Sequence, residues 1–140
     1  MLTIFANDYK PKGKKRGFML YHAEGGAHLV LRRDDVKERL YETFRKLGRR
    51  RKVLAIPPDF TRYHSQAGMI TELAWEYYSK ALTDVLPALG THSAMTDEQI
   101  GRMFGSIPKE LFRVHNFRTD LITLGEVPAE FIHEVSEGKL

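Results

Sequence analysis

The 140-residue chain contains no cysteine. That excludes disulfides, thiolate zinc centres and a cysteine nucleophile, and it suits a cytoplasmic address. No apolar run approaches the roughly 20 residues that a membrane-spanning helix needs. The apolar start, Met1 to Ala6, is too short for a secretory leader and gives way at once to Asn7 and Asp8. A glycine-rich phosphate loop is also missing. Gly25-Gly26 is not followed by the rest of a dinucleotide fingerprint, so an ordinary NAD site is not expected. There are six histidines, but no two have the i, i+4 spacing, with an acid between them, of a helical metal site. The chain shows no internal repeat.

What is present describes one compact soluble domain. Its length suffices to bury a core without staples. Hydrophobic residues make up 42% and charged residues 29%, both ordinary for a globular protein. The net charge of +4 is concentrated in two runs, Lys10 to Arg16 and Arg49-Arg50-Arg51-Lys52. Polyanions are drawn to such runs. No aromatic residues interleave with the arginines, however, as a single-strand platform requires. Both runs therefore read as solvated, and nucleic acid is not favoured as a partner.

Residues 1 to 17 read as a basic extension, punctuated by Pro11, Gly13 and Gly17. Residues 18 to 140 read as the domain. Phe18 to Tyr21 has the pattern of a strand, and Ala27 to Leu31 of another. Val36, Leu40, Phe44 and Leu47 recur at helical spacing and predict a helix from about Asp35, with Asp34 as its N-cap and Gly48 as its terminator. Val53-Leu54-Ala55-Ile56 is an unbroken apolar run, the pattern of an interior strand buried on both faces. A second helix is predicted over 66 to 82, capped by Ser65, with Ile70, Leu73, Ala74, Tyr77 and Ala81 as its stripe. Trp75 and Tyr78 fall off that stripe and look packed by something outside the chain. Val85 to Leu89 follows as a short extended segment. Thr96-x-x-Gln99 is a capping box that opens a helix to Phe104, with Gly105 as its stop. Ser106 to Phe112 reads as a helical turn, Arg113 to Phe117 and Leu121 to Leu124 as strands, and Ala129 to Val135 as a helix. The alternation predicts the α/β class: a mostly parallel, Rossmann-like sheet with helices on both faces, in a single domain.

Ligands in such sheets bind beyond the carboxyl ends of the strands. Two loops fall there. The first is Pro58-Asp59-Phe60-Thr61-Arg62-Tyr63-His64. The planar fork of Arg62 suits a carboxylate, Asp59 can orient that fork or accept a substrate hydroxyl, and Thr61 can donate to an anion. The plainer reading is an Asx-type turn built by Asp59 and Thr61, with Arg62 facing solvent. The second loop is Gly90-Thr91-His92-Ser93. A histidine there is well placed for proton transfer near neutral pH. The plainer reading is a turn histidine bonded to a carbonyl. His64 lies close enough to Arg62 to share its surroundings, and His115 is read as a core residue.

Taken together, Val53 to Arg62 and Ala88 to Gln99 resemble the two N-terminal signatures of the lactate racemase family, in order, separation and flanking elements. Val114-His115-Asn116 and Leu124-Gly125 resemble the stretch that follows. The resemblance covers about residues 19 to 127. It implies inversion of C2 of a 2-hydroxy acid by hydride transfer to a nickel-pincer nucleotide carried on a lysine, with two histidines as acid and base. His92 would be one of these. Arg62 would hold the substrate carboxylate, Asp59 would support the site, and Thr61 belongs to the same motif. Two positions depart from the family pattern. Tyr63 stands where a proline is usual after the arginine, and Ser93 where an arginine often follows the histidine. Both sit beside the substrate, so a 2-hydroxy acid bulkier than lactate, or differently charged, stays open.

The family's second histidine, cofactor lysine and nickel ligand lie further along than residue 140. The expectation is therefore an excised N-terminal domain, inactive alone, whose partner is the C-terminal domain of the same parent enzyme. No cofactor is expected to be attached to this chain, and no residue of it is assigned to metal or cofactor binding. The competing reading is a non-catalytic α/β domain that binds a small anion at the 58–64 and 90–93 loops. A basic nucleic-acid module using Arg49 to Lys52 ranks third.

Overall fold

A computed structural model describes residues 2–7 and 18–140, giving only the backbone for 2–7, 18 and 19. The basic run Lys10 to Arg16 lies outside the described residues. Strands β1 (Leu2–Asn7) and β2 (Phe18–Glu24) pair antiparallel, from Leu2 opposite Glu24 to Asn7 opposite Phe18, with a shift in register between Ile4 and Phe5. The first residues, expected as part of an extension, thus form a strand. Helix α1 (Arg33–Leu47) follows. Its N-cap is Arg32 rather than Asp34: the Asp35 carboxylate accepts from the Arg32 backbone N–H at 2.9 Å. Asp34 and Asp35 occupy the first turn, where the helix dipole favours negative charge.

The unit that positions the site is a parallel crossover. It runs from β3 (Val53–Ala55) through a 3-10 helix (Phe60–Ser65) and α2 (Ala67–Tyr78) to β4 (Leu82–Val85). Val53 lies opposite Leu82 and Ala55 opposite Val85. The α/β class and the parallel pairing expected from the sequence are both present. The pairing is small, two strands continued by single bridges. One bridge joins Pro58 to Ala88, and another joins Val85 to Phe112. Helix α3 (Asp97–Phe104) opens on the Thr96 and Gln99 capping box and stops at Gly105, as expected. The 3-10 turn Lys109–Leu111 and α4 (Ala129–Val135) complete the chain.

The core has two parts. Leu82, Val85, Met103, Phe104 and Ile107 gather where β4 meets α3, and Val36, Leu40 and Leu73 gather between α1 and α2. Gly68 lets α2 and α3 approach closely, since a Cβ there would overlap the Met103 carbonyl. Trp75 and Tyr78 pack on the β4–α3 core on one side and stay half-exposed.

Further expectations are corrected. Helix α2 ends at Tyr78, not at residue 82. Ser79 breaks it at φ +48°, and Leu82 opens β4. Residues 27 to 31 form no strand; they hold a turn in which the Leu29 N–H donates to the Gly26 carbonyl. Arg113 to Phe117 contributes one amide, from Arg113 to the Val85 carbonyl at 2.8 Å, and 121 to 124 is exposed and irregular. Finally, β3 is not buried on both faces. Val53 and Ala55 face the core, while Leu54 and Ile56 are 52% and 61% exposed. No described helix is long and apolar enough to cross a membrane.

Candidate functional site

Because β3 and β4 run parallel, the chain leaves both strands at the same end of the sheet. The Leu86 N–H donates to the Ala55 carbonyl and the Ala88 N–H to the Pro57 carbonyl, each at 2.8 Å. Pro57 and Pro58 have no N–H to give back, so the ladder runs one way and ends there. Asp59 therefore emerges beside Leu89. Beyond Leu89 the chain turns back at Gly90, whose φ of +57° favours glycine, and the His92 N–H donates to the Leu89 carbonyl at 2.9 Å. These two turns set Asp59 against His92.

Asp59 is buried, at 6% exposure, and caps the 3-10 helix. Its Oδ1 accepts from the Thr61 N–H at 3.1 Å and from the Thr61 hydroxyl at 2.5 Å. Its Oδ2 lies 2.6 Å from His92 Nδ1. Burial pushes the Asp59 carboxyl up. The hydrogen bonds from the Thr61 hydroxyl, His92 and the Thr61 amide outweigh burial and hold it below the usual aspartate value. The group is thus a carboxylate near neutral pH and can only accept hydrogen bonds. His92 Nδ1 must then be the donor, which leaves the lone pair of a neutral imidazole on Nε2. The His92 side chain is 55% exposed, and Nε2 has no hydrogen-bond partner among the described residues. A buried anion holding an outward imidazole in one tautomer is an arrangement that takes a proton from a bound hydroxyl.

Of the two sequence readings of the first loop, the plainer one is present. Asp59 and Thr61 do build the Asx-type turn, and the same carboxylate also holds His92. Asp59 does not orient Arg62. The two are joined through the backbone, Arg62 N–H to Asp59 carbonyl at 3.0 Å. The Arg62 side chain is exposed and forms no hydrogen bond or ion pair among the described residues. The hydroxyl proton of Thr61 is engaged by Asp59, so it is not available to an anion. His64 is exposed beside Tyr63, and His115 is only half-buried. One side chain was missed by the sequence reading. Arg102 of α3 lies over the rings of Phe60 and Tyr63, at 5.8 and 5.2 Å from their centroids, and brings a second cation to the 3-10 helix that carries Arg62. Nothing local in the sequence signals it, because the contact depends on how α3 docks.

No family model matches the chain, and no curated protein matches it. Among solved structures, it is similar to a protein from Thermotoga maritima, with 28% identity and a TM-score of 0.63. The match covers 77% of this chain and 27% of that one. The chain thus spans about a quarter of the length of that protein.

Proposed function

We propose that this chain is the substrate-binding half of a lactate-racemase-like enzyme that inverts C2 of a 2-hydroxy acid in the cytoplasm. The observation that carries this reading is the Asp59–His92 pair at the shared end of two parallel strands. In this reading Arg62, with its fork free, receives the carboxylate of the acid in two parallel charge-assisted bonds. His92 Nε2 takes the C2 hydroxyl proton as the carbonyl forms and returns it afterwards. Asp59 acts through His92, fixing its tautomer and stabilising the imidazolium that forms. Thr61 keeps Asp59 ionised.

The resemblance implies a nickel-pincer nucleotide, which when bound accepts and returns the C2 hydride. In this reading no residue of this chain is assigned to hold it. Among the described residues there is no group of three or more His, Cys, Asp or Glu side chains placed to hold a metal ion. No step is therefore assigned to the cofactor on this chain, and a second domain would carry it. Open apolar residues such as Leu54 and Ile56 suit contact with such a domain.

Two outcomes are expected. The purified chain, supplied with cofactor, does not racemise D-lactate and does not retain nickel, as read by chiral chromatography and elemental analysis. Racemisation by the chain alone would refute this division of labour. In the longer enzyme, Arg62→Lys raises KM by about tenfold or more, because an ammonium cannot reproduce the bidentate fork. The runner-up, a non-catalytic domain that binds a small anion, is favoured by the Asx-type turn and the exposed Arg62. It predicts the same loss of anion binding but no dependence of any turnover on His92.

A further inference from the structure

At the other end of β3 from His92 lies a second concentration of chemistry. Arg45 stands in the last turn of α1, Arg49, Arg50 and Arg51 follow the turn at Gly48, and Lys80 follows the end of α2. All five line one open groove of about 950 Å³. None of them is in an ion pair among the described residues. By contrast Arg33, Lys37, Arg39, Lys46, Lys109 and Arg113 each are. The C-termini of α1 and α2 both point here, and each carries roughly −0.5 elementary charge. Together they offset about one of the five positive charges, so a strong positive excess remains.

Sequence reading found no aromatic residue among these arginines. The fold supplies two from α2. Tyr77 and Tyr78 form a wall of the groove. Their rings are half-buried and set by Phe44, at 5.2 and 4.9 Å between centroids, and by each other at 4.9 Å and 81°. The wall is therefore fixed before any ligand arrives, which lowers the ordering cost of binding.

We propose that this groove binds a nucleoside polyphosphate, with the phosphate chain on Arg49, Arg50, Arg51 and Lys80 and the base against the Tyr77–Tyr78 wall. Arginine forks match phosphate oxygens in pairs, and an aromatic face accepts any base. The groove has the size of a small-ligand site, ~300–1,000 Å³. A single strand of nucleic acid fits less well. It needs a track of free cations along several phosphates, and beyond this groove most of the described cations are ion-paired or lie over aromatic rings.

Calorimetric titration of the 140-residue chain with ATP, inorganic triphosphate and an oligothymidylate of about 12 nucleotides tests this. ATP is expected to bind, and to bind at least ~3-fold tighter than triphosphate because of the base. The combined variant Arg49→Gln, Arg50→Gln, Arg51→Gln is expected to weaken ATP by ~10-fold or more, and Lys80→Gln alone by ~3-fold, with circular dichroism unchanged. The two variants are separate tests, so misfolding of the first leaves the second decisive. No binding of ATP, equal affinity for ATP and triphosphate, or unchanged ATP affinity in folded variants would overturn the proposal. So would an oligothymidylate that binds more tightly than ATP with a steep loss between ~50 and ~200 mM salt; the groove would then be a nucleic-acid surface.

Discussion

If the proposed function holds, His92→Ala is expected to lower the turnover of the longer enzyme by about 10²–10⁴-fold, the range for loss of a positioned general base. The side chain is 55% exposed and its loss opens no core cavity, but the buried Asp59 carboxylate loses one hydrogen bond, so stability falls by about 1–3 kcal/mol. Asp59→Asn is expected to lower turnover by a similar order, for a different reason. An asparagine amide can donate to Nδ1, which drives the imidazole proton onto Nε2 and removes the lone pair that the substrate hydroxyl must meet. The two variants together therefore lose little more than either alone, since each disables the same unit. Steady-state kinetics with a 2-hydroxy acid reads this directly. Unchanged turnover in His92→Ala would falsify the proton-transfer role and return the site to anion binding.

The second large effect is structural. Gly68→Ala is expected to cost about 3 kcal/mol or more, the upper end for overpacking, and to lower Tm by ~10 °C or prevent folding. The added Cβ would overlap the Met103 carbonyl and crowd its Cγ, so α2 and α3 would have to move apart around the Phe104 core. Gly101→Ala is the control. That glycine is exposed in α3, with nothing within 4 Å of a built Cβ, and alanine there should stabilise by about 0.5–1 kcal/mol. Thermal melts of the two variants should shift in opposite directions. A Gly68→Ala chain as stable as the parent would mean that α2 and α3 are not packed this closely.

The features legible in the sequence are those fixed by near neighbours. The stripe of Val36 and Leu40 marked the inner face of α1, and the Thr96 and Gln99 box marked the start of α3 to the residue. The misjudged features depend on distant partners. Apolar spacing runs through Ala81 and Leu82 without a break, so the pattern alone continued α2 into what is β4. Leu54 and Ile56 read as buried because an apolar run carries no record of which face is covered. Asp59 and His92 were both candidates, but the sequence left Asp59 to orient the Arg62 fork, accept a substrate hydroxyl or support the site, and gave no sign that the sheet sets it against His92. Tyr77 and Tyr78 were likewise invisible as neighbours of Arg49 to Arg51, since only the packing of α1 on α2 brings them there.

The bond between Asp59 and His92 joins residues 33 apart, and that span has a kinetic consequence. Closing so long a segment carries an entropic cost that local helix formation does not offset, so such contacts form late in folding. Helices α1, α2 and α3 can each flicker into being by themselves, but the oriented imidazole exists only after β3 and β4 have zipped and the proline-ended ladder has locked their register. A chain halted before that step would hold much of its helix yet have His92 free in either tautomer. Formation of the Asp59–His92 pair and completion of the parallel pairing are then one event, so a partly folded chain lacks the oriented imidazole.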